Sequence, residues 1–188
     1  MSLPEIKTPA LVLNTLPYEE DKLIAHLYTR ALGRTAFVVS GPKRQRYFQR
    51  GALLTIRFYH KPHREVQRLL EAEWLVLYEN LHHEATRMPY LLLALEVLDQ
   101  VLIAPEEALF DYLVKGLLTM DKADDPGVAV KAFMGGLLER LGGESLSPDT
   151  DWATLEAHFA ALVPGWKSLQ TYSLLDSLTL PAYDRKHG

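Results

Sequence analysis

The stretch KLIAHLYTRALGRTAFVVS, residues 22–40, has the pattern of a β-hairpin. Side chains in residues 22–30 and 34–40 alternate between two faces, which is the period of a β-strand. Gly33 lies in the short turn between them, at a position that needs a positive φ, and glycine adopts this angle without steric cost. The stretch therefore predicts two antiparallel strands joined at Gly33.

Three further segments with strand patterns flank this hairpin. Residues 10–16 are rich in β-favouring side chains, and we predict that this strand ends at Pro17. Strand patterns also run through residues 52–59 and 65–78. Five short strands in about 80 residues, with turn signals between them, indicate a small closed barrel, of which the OB-fold is a common five-stranded example. We therefore predict an OB-fold domain in residues 1–80.

After Tyr78 the apolar period changes to that of α-helices. The segment YLLLALEVLDQVLI is apolar nearly all round, which predicts a central, buried helix. Two more helices are predicted to begin at Pro105 and Pro126, followed by a fourth that ends at Pro164 and a short terminal helix in residues 166–178. The predicted class is α+β: an N-terminal five-stranded OB-fold barrel followed by an α-helical bundle domain in residues 81–188.

Composition narrows the class of protein. The 188 residues are 48% hydrophobic and 23% charged, as in ordinary globular proteins, and they include no cysteine, which excludes disulfides and thiolate zinc sites. No apolar stretch approaches the ~18 residues of a membrane span, and the N-terminus lacks the features of a signal peptide. We therefore expect a cytoplasmic protein with no membrane contact.

Positive charge is concentrated in the predicted barrel. Residues 1–68 carry 12 Lys/Arg against 5 Asp/Glu, a net +7, whereas residues 69–188 carry a net −11. The densest run, GPKRQRYFQR at residues 41–50, has no acidic residue. Clustered cations suit phosphates, and aromatic faces between them suit stacked bases. The alternative is a solvated loop whose aromatic side chains are tucked into the barrel.

The candidate nucleic-acid contacts follow from this pattern. The predicted phosphate-binding residues are Arg30, Arg34, Lys43, Arg44, Arg46, Arg50, Arg57, Lys61 and Arg64. The stacking candidates are Tyr47, Phe48 and Tyr59, together with Tyr28.

Catalytic motifs give no comparable signal. Imidazoles at His60, His63 and His82 are the type of ligand that a zinc hydrolase uses, but no HExxH helix accompanies them. A GxSxG elbow and a GxxxxGK[ST] phosphate loop are also missing. We therefore predict no catalytic residue, metal or cofactor, and keep a metal-dependent hydrolase as an alternative hypothesis.

Residues 10–44, ALVLNTLPYEEDKLIAHLYTRALGRTAFVVSGPKR, resemble the N-terminus of the RecO family of bacterial recombination mediators. The shared pattern is an apolar first strand, a tyrosine before an acidic turn, a strand ending in YTR, a GR hairpin and a basic exit. The segments LLLALEVLDQVL, ALFDYLVKGL, FMGGLLERLGG and WKSLQTYSLL are similar to the family's helical part. Many members carry a four-cysteine zinc ribbon, so the resemblance is to the cysteine-free branch.

The resemblance implies a function in DNA repair and recombination. Members bind single- and double-stranded DNA, anneal complementary strands and work with RecR and the single-strand binding protein SSB to load the RecA recombinase. A nucleoid-associated location in bacteria is implied with it. The family pattern places DNA contacts at Arg30, Arg34, Lys43, Arg44 and Arg46. An OB-fold RNA-binding or translation-associated protein remains the alternative, because the charge pattern does not distinguish the two nucleic acids.

The helical half is expected to hold the SSB C-terminal tail. This tail is acidic and ends in a hydrophobic residue, so it needs an apolar groove with nearby cations. The few cations of the acidic half are the candidates: Lys115, Lys131 and Arg140. Gly135 and Gly136 are predicted to open a shallow groove beside Lys131.

Overall fold

The computed structural model describes residues 2–171, and within this range the N-terminal part is a closed barrel of five strands. The strands are β1 (Glu5–Glu19), β2 (Lys22–Thr29), β3 (Gly33–Ser40), β4 (Leu53–Tyr59) and β5 (Val66–Trp74). Their order around the barrel is β1-β2-β3-β5-β4, and only the β3–β5 pair is parallel. The predicted five-stranded OB-fold barrel is confirmed, and Gly33 has a φ of 72°.

Two predicted strand ends are wrong. β1 continues through Pro17 to Glu19. Its pairing with β4 ends at Leu11, so the second half of β1 pairs with β2 alone. A proline at an open strand edge removes no hydrogen bond from the sheet, so it does not end the strand. β5 ends at Trp74 rather than Tyr78, and the chain then leaves the barrel.

The helices of the described residues follow the predicted order. A short helix α1 (Pro42–Gln45) lies between β3 and β4, and the C-terminal part contains α2 (Met88–Val101), α3 (Glu107–Lys122), α4 (Pro126–Arg140) and α5 (Trp152–Leu162). The Asp125 side chain accepts a hydrogen bond from the Val128 amide and caps α4, which begins at Pro126 as predicted. In the predicted terminal helix, residues 166–171 are not helical and residues 172–178 lie outside the described part of the chain.

The barrel and the helices share one hydrophobic core. Leu11, Leu13, Tyr28 and Leu53 of the barrel are buried in the same cluster as the leucines of α2. A second cluster, containing Phe37 and Phe58 edge to face at 4.8 Å, fills the inside of the barrel. The predicted domain limit at residue 80 falls in the connection between the two parts, and the division into two domains stays a prediction.

Asp121 holds this connection against the end of α3. Its carboxylate is 1% exposed and accepts hydrogen bonds from the amides of Glu79 (3.0 Å), Asn80 (2.8 Å) and Leu81 (2.7 Å). Burial raises the pKa of Asp121, but the three amides outweigh it, so that the pKa lies below its ordinary value. The helical part is therefore joined to the barrel through a fixed segment.

None of the helices within residues 2–171 combines the length and the apolar character that a membrane crossing requires.

Candidate nucleic-acid interface

Residues 41–50, here called the basic segment, leave the barrel at the end of β3. Gly41 turns the chain with a φ of 85°, and its amide donates to the Asp21 carbonyl at 3.1 Å. The Gln45 side chain donates to the same carbonyl at 2.7 Å. These bonds tie the segment to the β1–β2 turn and hold its cations at one end of the barrel.

The four cations of the basic segment, Lys43, Arg44, Arg46 and Arg50, are exposed. Arg44 donates to the carbonyl oxygens of Leu70 (3.0 Å) and Ser40 (3.4 Å), which orients its side chain without neutralising it. Among the residues described here, no carboxylate forms an ion pair with any of the four. Their positive charges therefore remain available to a polyanion.

Arg57 and Arg34, by contrast, have carboxylate partners. Arg57 contacts Glu71 and Glu5, each at 2.5 Å, and these carboxylates raise the pKa of Arg57 while Arg57 lowers the pKa of Glu71. Arg34 lies 2.7 Å from an Asp99 carboxylate oxygen and donates to the Asp99 backbone carbonyl. Since paired arginines present little net charge, we revise both from phosphate contacts to contacts within the chain.

Arg30 is engaged in the same way. Its guanidinium lies 3.2 Å from Asp111 and 3.7 Å from Glu107, both on α3. The ion pairs link the end of β2 to the helical part, so the predicted phosphate contact is revised here too.

Two of the predicted stacking residues are wrong. Phe48 is only 5% exposed and packs in the barrel core, because the chain turns inward before β4. Tyr28 is fully buried, and its hydroxyl donates to the Ala104 carbonyl at 2.8 Å. A base cannot reach either ring, whereas Tyr47 and Tyr59 retain exposed surface.

Lys61 and Arg64 lie in the β4–β5 loop, which Gln67 fixes. The buried Gln67 amide accepts from the Lys61 amide and donates to the carbonyls of Lys61 and Arg64, at 2.8 to 2.9 Å. β5 begins at Val66 opposite Ala36, so the loop comes before this point on β3 whereas the basic segment follows the end of β3 at Ser40. Ala36 lies four residues before Ser40, so at 3.3 Å per residue the start of β5 and the end of β3 are about 13 Å apart along the strand.

The predicted candidates His60, His63 and His82 belong to no metal-binding group in the described part of the chain. The His82 ring nitrogen lies 2.9 Å from the Arg50 carbonyl, and burial lowers the His82 pKa. His60 contacts Phe58 edge to face, beside the β4–β5 loop. Within residues 2–171, no group of three or more His, Asp or Glu side chains could hold a metal ion.

The predicted tail-binding cations lie at three different places. Lys115 lines an apolar groove of about 770 Å³ between α3 and the barrel, here called the Lys115 groove, with Leu75, Phe110, Leu118 and Lys122. Lys131 lines a second groove of about 770 Å³, here called the Lys131 groove. Arg140 lines neither groove. Its guanidinium lies 4.3 Å from the centre of the Tyr112 ring.

The Lys131 groove contains both predicted glycines. Gly135 and Gly136 line it, and the Lys131 ammonium lies 5.2 Å from the centre of the Trp152 ring. Its lining also includes three carboxylates: Asp125, Glu139 and Asp149.

Comparison with known proteins shows which family the chain resembles. The model "Recombination protein O N terminal" matches residues 1–78. DNA repair protein RecO of Exiguobacterium sibiricum is 31% identical in a match that covers 82% of this chain and 64% of that relative. DNA repair protein RecO of Dechloromonas aromatica is 32% identical, and the match covers 79% of this chain and 64% of that relative. The chain is similar to RecO proteins over about four fifths of its length. The chain spans less than two thirds of the length of these two relatives. The match to DNA repair protein RecO of Ralstonia nicotianae covers 58% of that protein.

The match to the RecO N-terminal model includes the whole barrel and the basic segment. One surface residue that sequence reasoning missed is Trp74, whose ring lies 4.9 Å from that of Tyr47. Sequence reasoning missed Trp74 because the predicted strand ran on to Tyr78 and placed Trp74 inside it, whereas β5 ends at Trp74.

Proposed function

We propose that this chain is a DNA-repair protein of the RecO family, without catalytic activity, that binds single- and double-stranded DNA. In this proposal it anneals complementary strands and helps to load a recombinase on SSB-coated DNA in the cytoplasm, at the nucleoid. The observation that carries the proposal is the basic segment: four exposed cations that form no ion pair within residues 2–171, on a chain with a net charge of −4. The curated relatives carry the name DNA repair protein.

DNA binding at this surface would be independent of sequence. Lysine and arginine side chains on an irregular segment neutralise phosphates, whereas base reading in a duplex needs an element that enters the major groove. The only helix of the basic segment in the described chain is the four-residue α1, which is too short for that role. Lys61 and Arg64, in the loop that precedes β5, would supply a second contact for a strand that crosses the barrel.

Reversing two charges should weaken DNA binding strongly. We expect Arg44→Glu/Arg46→Glu to lower the affinity for DNA of any sequence on the order of tenfold or more. For the unmodified chain, four to six neutralised phosphates predict a slope of log affinity against log salt of about −3 to −5. The double variant should lose about two units of this slope. Fluorescence anisotropy over a salt series measures both quantities.

Lys115→Glu/Lys122→Glu is the matched control. It has the same net charge as the first double variant, but it changes exposed residues of α3. Equal losses in the two variants would show that only net charge matters and would contradict the assigned surface. Tighter binding to RNA than to DNA of the same sequence would favour an RNA-binding role instead. Annealing of SSB-coated complementary oligonucleotides tests the mediator activity itself.

The SSB tail is a proposed partner of the helical part, with RecR and, indirectly, RecA as further partners. The Lys115 groove suits an acidic, apolar-ended peptide better than the Lys131 groove does. Lys115 and Lys122 border an apolar lining there, and its one carboxylate, Asp111, is already paired with Arg30. Three carboxylates line the Lys131 groove and would repel the tail.

Single charge reversals separate the two grooves. We expect Lys115→Glu to weaken binding of an SSB-tail peptide by about tenfold, since it removes a charge-assisted hydrogen bond and adds repulsion. Lys131→Glu should have less effect, and neither variant should change binding to naked DNA. Anisotropy with both labelled ligands measures this. A larger loss in Lys131→Glu would return the site to the predicted groove at Gly135 and Gly136.

A further inference from the structure

Arg46, Tyr47 and Trp74 form a cluster on the barrel surface. The Tyr47 and Trp74 rings lie 4.9 Å apart at an interplanar angle of 52°. The Arg46 guanidinium lies 4.9 Å from the centre of the Tyr47 ring and donates to the Tyr47 hydroxyl oxygen at 3.0 Å. Because each member contacts the next, the rings are held in place without a ligand.

The cluster lies at the same end of the barrel as the basic segment. Trp74 is the last residue of β5, and β5 runs parallel to β3, which ends at the basic segment. Trp74 pairs with Leu54, which is fully buried, yet Trp74 itself leaves 36% of its surface exposed. Trp74 is therefore partly exposed aromatic surface beside Tyr47, and Tyr47 contacts a cation that attracts phosphates.

We propose that the Arg46–Tyr47–Trp74 cluster stacks an unpaired base of single-stranded DNA and gives the protein a preference for single strands. This inference rests on the proposed function. Every base offers a π-face to an aromatic ring, so stacking is independent of sequence, and guanidinium groups add to it. In a duplex the neighbouring base pairs cover these faces. Lys43, Arg44 and Arg50 would hold the phosphates of either form, so only the cluster distinguishes them.

Two substitutions at Trp74 test the role of the ring. Leucine at this position fills space against Tyr47 but has no π-face, whereas phenylalanine keeps one. We expect Trp74→Leu to weaken binding of single-stranded DNA by about tenfold, the order that one stacked base contributes. Trp74→Phe should stay within about threefold of the unmodified protein. Binding of a blunt duplex of the same sequence should be unchanged in both variants.

Tryptophan fluorescence supplies an independent readout. Single-stranded DNA should quench the emission of the unmodified protein, and the quenching should disappear in Trp74→Phe, although that variant still binds. Matching thermal unfolding curves establish that both variants fold.

The outcomes separate this inference from the function on which it rests. If both variants bind single strands as the unmodified protein does, the cluster proposal is overturned while electrostatic DNA binding stands. Equal losses on single strands and duplex in Trp74→Leu would also overturn it, because they indicate a general effect on the surface. If the unmodified protein binds no DNA, the proposed function fails first.

Discussion

Replacing Gly33 with alanine should lower the melting temperature by about 6–12 °C, which corresponds to roughly 3 kcal/mol for a chain of this size. Gly33 has a φ of 72°, and a residue with a Cβ pays about 1–2 kcal/mol for this conformation. The added Cβ would also lie 2.4 Å from the Ile103 carbonyl oxygen and 2.7 Å from the Pro105 nitrogen. Thermal unfolding followed by circular dichroism measures the change.

The contact at Gly33 cannot relax easily, because both sides are hydrogen-bonded backbone. The Ile103 carbonyl accepts from the Arg34 amide at 2.9 Å, and the next carbonyl, Ala104, accepts from the Tyr28 hydroxyl. A shift that removed the clash would lengthen these bonds and part the barrel from the α2–α3 connection.

Gly142→Ala provides the matched control. Gly142 also has a positive φ, 90°, but nothing lies within 4 Å of the position that a Cβ would take. This variant should lose only the conformational part, about 1–2 kcal/mol. Equal destabilisation in the two variants would mean that the close approach between Gly33 and Ile103 contributes nothing.

The barrel could be predicted from the sequence because the patterns that define its strands and turns lie between residues that are close in the chain. The alternation of side chains in β2 and β3 is visible within each strand. The positive φ at Gly33 follows from the short turn in which Gly33 lies. The N-cap of α4 at Asp125 is local as well. Strand ends were less predictable, because Pro17 is tolerated only when β4 has already left β1, which depends on how the strands pair.

The candidate site was readable only in part. The basic segment was found because its four cations lie within eight residues of the chain, with no carboxylate among them. Arg57 was misassigned because its partner Glu5 lies 52 residues away, and no pattern in the sequence reports that contact. Phe48 stands among exposed cations yet turns into the core, so composition alone could not separate it from Tyr47. Trp74 and Tyr47 meet only after the barrel closes.

Replacing Asp121 with alanine should destabilise the protein by about 3 kcal/mol or more, since three amide groups would lose the buried carboxylate that accepts from them. The affected amides belong to Glu79, Asn80 and Leu81 in the connection between barrel and helices. Urea unfolding at neutral pH measures the loss. Asp121→Asn keeps the shape and one acceptor oxygen, so it should be less harmful. Its amide group, however, would face an N–H donor.

The contribution of Asp121 should depend on pH in one direction. Its folded-state pKa lies below the ordinary value of 3.8, so the unfolded chain takes up a proton first as the pH falls. The stabilisation is therefore complete above about pH 5 and is lost as the pH drops through the folded-state pKa. The difference in unfolding free energy between the unmodified protein and Asp121→Asn should shrink below pH 4. A difference that stays constant from pH 7 to pH 3 would mean that the charge of Asp121 does not hold the connecting segment.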